Sequence, residues 1–129
     1  MNDSDSQNEY VPKSLVLLDD EKTRKCAKWI LTFLKHTNVT ADEISNLKLE
    51  GLVDISIPHD MSARDVVEEM IRLNSKWYLK IHSVWGLWMR NQLRTHGFDE
   101  EYFNVNNIDD YYVELVQLAL SLKEENNNE

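Results

Sequence analysis

Between Ser62 and His96 the chain has no proline and one glycine, Gly86. A stretch that long without a breaker has few ways to turn, and it points to helix. Its apolar residues carry the matching period. Val66, Met70, Leu73, Trp77, Ile81, Val84 and Trp88 step by threes and fours, and Val67, Ile71, Tyr78, Trp85 and Met89 form a neighbouring row. At about 100° per residue the two rows cover an arc of roughly 160°. That is too broad for a two-stranded coiled-coil seam and suits a helix contacted from two sides. The expected architecture is all-α, a four- to five-helix bundle around one long central helix. Unbroken, that helix would be about 50 Å long. Asn74-Ser75 is the expected place for a break, with Ser75 as a cap, and Gly97 is placed as the helix's C′ residue.

The remaining segments also read as helical. A first helix is expected from Asp19 or Asp20 to about Lys35, with Asp20 and Glu21 at its start and Lys35 and His36 at its end, as the helix dipole favours. Cys26, Trp29, Ile30, Phe33 and Leu34 give it one apolar face. Thr40-Ala41-Asp42-Glu43 has the form of a capping box opening a short helix through Ile44 and Leu47, which Gly51 interrupts. Val53, Ile55 and Ile57 alternate as a strand would, but a lone strand has no partner here. An extended segment or short turn laid on the core is expected instead, ended by Pro58, with Asp60 or Ser62 capping the next helix. Phe98 to Asn106 reads as a loop or single turn starting at Asp99. A last helix from about Ile108 to Leu122 has Asn107, Asp109 and Asp110 at its start and Tyr112, Leu115, Val116, Ala119 and Leu122 on its apolar face. The domain is expected over residues 14–123, between disordered tails at 1–13 and 124–129.

Composition allows a core and narrows the partners. The hydrophobic fraction is 42% with 29% charged, ordinary for a globular chain. A net charge of -9 disfavours nucleic acid and membrane surfaces. That charge is uneven: residues 21–97 hold twelve of the 14 Lys and Arg against nine acids, whereas from Phe98 onward nine acids face Lys123 alone. Cys26, the one cysteine, excludes an internal disulfide. Met1 to Tyr10 is polar and acidic, without leader character, and no apolar run nears the roughly 20 residues of a membrane span. The expected location is inside the cell, cytoplasmic or nuclear. The glycosylation pattern Asn38-Val39-Thr40 is then a chance match.

Catalytic and metal chemistry find little footing. His36, His59, His82, His96 and Cys26 show no metal-ligand spacing, so neither metal nor cofactor is expected. Cys26 lies among apolar positions and reads as packing, rather than as a nucleophile paired with His82. Adjacent acids such as Asp19-Asp20, Glu68-Glu69, Glu100-Glu101 and Asp109-Asp110 point in different directions on a helix, and three of these pairs suit helix N-termini. No glycine pattern suits a phosphate. No catalytic residue and no enzymatic role are expected.

The aromatic and basic residues point to a binding module. Large aromatics on a broad helical face build cores first, yet such an arc can leave part of itself open to a partner. Trp85, on the edge row beside Gly86, is expected to be the accessible one, with Trp88 and Met89 beside it. Arg72, Lys76, Lys80, Arg90 and Arg94 fall within a sector of roughly 80° on the opposite side of a continuous helix. Either they form a solvated face, or they dock an acidic segment, from the chain's own C-terminal region or from a partner. The expected function is a protein–protein interaction module, an adaptor or complex subunit, with self-association into a homodimer compatible. A nucleic-acid-associated domain using the same stripe is the alternative.

Residues 24–81 also resemble the helical N-terminal domain of transcription elongation factor S-II and related modules. The residues that carry the likeness are Ile30, Leu31 and Leu34, then Val39 and Thr40, then Leu49-Glu50-Gly51 with Val53, then Ala63, Val67 and Trp77. The resemblance implies a helical bundle that docks disordered peptides of the transcription machinery.

Overall fold

Asp19 caps the first helix, α1 (Asp20–Lys35), by accepting the backbone N–H of Lys22 at 3.0 Å. Its core face buries Cys26, Ile30 and Leu34 together with Ala27 and Leu31, while Trp29 and Phe33 stay half-buried at the border. The computed structural model describes residues 11–53 and 61–122. The first ten residues of the expected tail at 1–13, the expected tail at 124–129, and the expected alternation through Ile55 and Ile57 to Pro58 lie outside the described residues. Lys13, placed in the N-terminal tail by sequence, is tied to the body: its N–H donates to the Asp110 carbonyl at 2.7 Å and its ammonium lies 3.2 Å from the Asp110 carboxylate.

Both arms of the capping box form at the start of α2 (Ala41–Leu49). The Thr40 N–H donates to Glu43 Oε1 at 2.9 Å, and the Glu43 N–H donates to Thr40 Oγ1 at 3.2 Å. An isolated antiparallel bridge, Asn38 to Ser62, pins the approach to α2 against the start of α3 (Ala63–Leu73). Ser62 in turn caps α3 through the Asp65 N–H at 3.2 Å.

The expected long helix is three helices: α3, α4 (Tyr78–Ile81) and α5 (Trp85–Thr95). The first break falls at Asn74, extended at φ −155° and ψ 112°, whose side chain accepts the Lys76 N–H at 2.9 Å. A short amide that bonds the backbone locally competes with the helical ladder, so Asn74 stops α3. Ser75 does not serve as a cap, because α4 begins without any side-chain cap. The second break, at β-branched Val84 (φ −117°, ψ −81°), was not expected. A rigid rod of about 50 Å is too long to lay its whole apolar arc on one core in a domain of this length, whose radius of gyration is about 14 Å. Breaking it brings Met70, Trp77, Ile81, Met89 and Leu93 to one core, all of them buried. Gly97 takes φ +91°, and the Phe98 N–H returns to the Leu93 carbonyl at 2.9 Å, ending α5 as expected.

After the single turn α6 (Glu100–Phe103), capped by Asp99, a 3-10 turn at Ile108–Asp110 leads into α7 (Tyr112–Ser121). Tyr112, Val113, Leu115, Val116, Ala119 and Leu120 are buried, so α7 is covered on most sides. It packs mainly along α1, which also packs on α3. The core is thus organised on α1 and α7 rather than on the 62–96 stretch. The described residues form helices and turns without a named strand, and none of their helices is long and apolar enough to cross a membrane.

Candidate partner-binding groove

The capping box and the Asn38–Ser62 bridge together fix one wall of a groove. Val39 and the α2 residues Glu43, Asn46, Leu47 and Leu49 form that wall, and Ala63 and Val66 of α3 contribute beside it. Ile81, Val84, Trp85 and Trp88 complete the lining from α4, α5 and the turn between them. The cavity measures about 590 Å³, within the range of roughly 300–1,000 Å³ typical of binding sites. Lys80 spans from α4 to the end of α2, its ammonium donating to the Glu50 carbonyl at 3.2 Å. Two large apolar side chains of the lining remain open to solvent: Leu49 is 85% exposed and Val84 74%.

The tryptophans divide between core and groove. Trp77 is fully buried, and Trp85 meets it edge-on with centroids 5.9 Å apart. Trp85 and Trp88 are half-buried, 5.8 Å from each other, and Trp88 continues to Phe33 of α1 at 5.5 Å. Met89, the third residue expected at the contact, points to the core and is fully buried. The space beside Gly86, next in sequence to Trp85, is occupied by the Tyr112 side chain of the same chain.

The expected basic stripe is not a stripe. The breaks at Asn74 and Val84 distribute its five members over α3, the following turn, α4 and α5. Arg72 pairs with Glu69 of its own helix, exposed Lys76 lies in the turn, and Lys80 faces Glu50. Arg90 is 5% exposed, with Nε 2.8 Å from Asp109 Oδ1 and its guanidinium 5.1 Å from the centre of the Tyr112 ring. Arg94 Nη2 lies 2.8 Å from Glu100 and 3.2 Å from Asp109. The hydrogen bond from Arg94 holds the Glu100 carboxyl far below its usual range, at about 2. Two of the five cations therefore bind acids of the chain's own C-terminal region.

His82 joins this network. Its Nδ1 lies 3.0 Å from the Tyr112 hydroxyl, and Arg90 donates to its carbonyl at 3.2 Å. Burial first, and the Arg90 charge second, lower the pKa of the imidazole. Burial likewise pushes the Tyr112 hydroxyl up to about 12 and raises the Cys26 thiol. Cys26 lies on the core face of α1, fully buried, whereas the His82 ring lies against Tyr112 and Arg90. Among the described residues no cluster of His, Cys, Asp and Glu could hold a metal ion.

Sequence reasoning missed α2 as a wall, and with it Leu49 and Val84. The signal for Leu49 was its place beyond the Ile44 and Leu47 face of a short helix, where an apolar residue has no core to enter. No family model matches the chain, and no curated protein or solved structure matches it either. The likeness to the S-II domain gains nothing from these comparisons.

Proposed function

We propose that the protein is an interaction module that seats the apolar side chains of a partner's amphipathic helix in the groove between α2 and the α4–α5 segment. One observation carries this reading: a cavity of about 590 Å³ walled by half-buried Trp85 and Trp88 whose rim leaves Leu49 and Val84 in solvent. Fully enclosed ligands do not need an apolar rim; a protein segment lying along the groove covers both. Half-buried tryptophans in such a wall supply large contact area with few rotamers to freeze. An orienting role for the basic stripe falls away for Arg90 and Arg94, whose charges are matched within the chain. The same pairing weakens the nucleic-acid alternative, which needed those two cations.

Selection from a displayed peptide library tests the proposal. Enriched peptides are expected to carry apolar residues at helical spacing, and Val84→Glu or Leu49→Glu is expected to weaken them at least tenfold while thermal melting changes little. Peptides lacking that pattern, or binding both variants as tightly as the parent, would overturn it. Light scattering on the isolated protein tells whether a second copy competes for the groove.

A further inference from the structure

We infer that the exposed side of α1 is a second docking face, built for an acidic protein segment that also carries large apolar side chains. From Lys22 to Ala41 the chain contains no acid, and Lys22, Arg24, Lys25, Lys28 and Lys35 all fall in α1. Arg24 lies 3.8 Å from Asp20, and Lys22 donates to the Tyr102 carbonyl at 2.9 Å. Lys25, Lys28 and Lys35 are exposed and make no ion pair with any described residue. Arg64, Arg72, Arg90 and Arg94, by contrast, each meet a carboxylate. The helical projection puts Lys25 beside Trp29, with Lys28 and Lys35 roughly 60–80° further round on the side away from Trp29.

An aromatic row runs along the border of this face. Trp29 stacks on Phe33 with centroids 5.0 Å apart and planes 14° apart, and it meets His96 at 4.6 Å and Phe98 at 5.5 Å. Trp29, Phe33 and Phe98 are half-buried, so the row is only partly covered, and Lys25 adjoins it at Trp29. Partly open aromatic side chains beside a polar rim have the anatomy of an interface, and charge complementarity of the lysines selects an acidic partner. Lys25 to Lys35 spans about 15 Å at 1.5 Å per residue, the reach of roughly five extended residues.

The occupant is a protein segment rather than a nucleic acid. Base stacking needs free ring faces, whereas Trp29 is engaged by Phe33, His96 and Phe98. This face is separate from the groove, although Trp88 touches both through Phe33.

Fluorescence polarisation on the full chain tests the inference with three labelled probes: an eight-residue peptide alternating glutamate with leucine and phenylalanine, the same peptide with lysine for glutamate, and a single-stranded thymidine homopolymer. The acidic peptide is expected to bind, and to weaken at least tenfold in the triple variant Lys25→Glu, Lys28→Glu, Lys35→Glu. Replacing the same lysines by Gln is expected to give an intermediate loss, which serves as the readout should the charge-reversed protein not fold. Val84→Glu should leave this binding unchanged, separating it from the groove. Raising salt from about 50 to about 500 mM should weaken it. Failure of the acidic peptide to bind, equal binding of the lysine peptide, indifference to the Gln variant, or tighter binding of the homopolymer would overturn the inference.

Discussion

A Cβ built on Gly86 would overlap the Tyr112 hydroxyl oxygen and lie 3.0 Å from the ring carbon that bears it. Tyr112 is fully buried on α7 and held by His82 and Arg90, so it has little room to withdraw. Gly86 thus sets how closely α5 approaches α7. In a free helix, alanine would be favoured over glycine by about 1 kcal/mol; here the overlap outweighs that gain. Gly86→Ala is expected to destabilise the protein by about 1–3 kcal/mol, read from urea unfolding. Adding Tyr112→Phe removes the closest atom, so the double variant should lose less than the two single losses together. Additive losses would show that the overlap is relieved elsewhere.

At the scale of the element, short helices depend on their ends. The nine residues of α2 bury only Ile44 and Leu47, so the capping box contributes a large share of what holds this groove wall. Thr40→Ala is expected to cost about 1 kcal/mol, with amide exchange accelerating in α2 and staying slow in α1. Uniform acceleration would mean that α2 does not open separately. Such end signals were the most legible part of the sequence: Asp19, Thr40 with Glu43, Ser62, Gly97 and Asn107 stand at element boundaries in the structure. Local chemistry decides a cap, so a window of four residues suffices to see it. The course of residues 62–96 was less legible, because helical period survives a break. Val84 differs little from a helical valine in sequence; only the demand that Trp77 and Leu93 reach one core turns the chain there. The same limit applied to the site. Trp85 and Trp88 line the groove, as their place on the apolar arc suggests. Met89, on the same arc, is buried in the core, and Arg90, which a continuous helix places on the opposite side, is buried as well, because the breaks at Asn74 and Val84 undo the single projection.

Across the whole molecule, the acidic C-terminal third is tied to the basic middle by a few matched charges. Asp109 receives both Arg90 and Arg94, and Glu100 also accepts the Ile108 N–H at 3.1 Å. This holds the turn before α7 against α5, and so steadies α7 along α1. Removing one partner strands a nearly buried guanidinium. Asp109→Asn is expected to cost about 2 kcal/mol, below the 3–5 of a fully buried pair, because the Asp109 side chain is 31% exposed. The tie also dictates how acid acts. The His82 pKa is lowered from 6.5, so near that pH the unfolded chain binds a proton that the folded one refuses. Stability is then complete above 6.5 and falls as the pH drops through it. Glu100, lowered from 4.5 to about 2, adds a second loss that begins near 4.5 and ends near 2. Thermal melts across this range should show both steps, with the upper one absent in His82→Gln and the lower one weakened in Arg94→Gln. A wild-type melting temperature flat from pH 7.5 to 5 would show that His82 does not couple to folding.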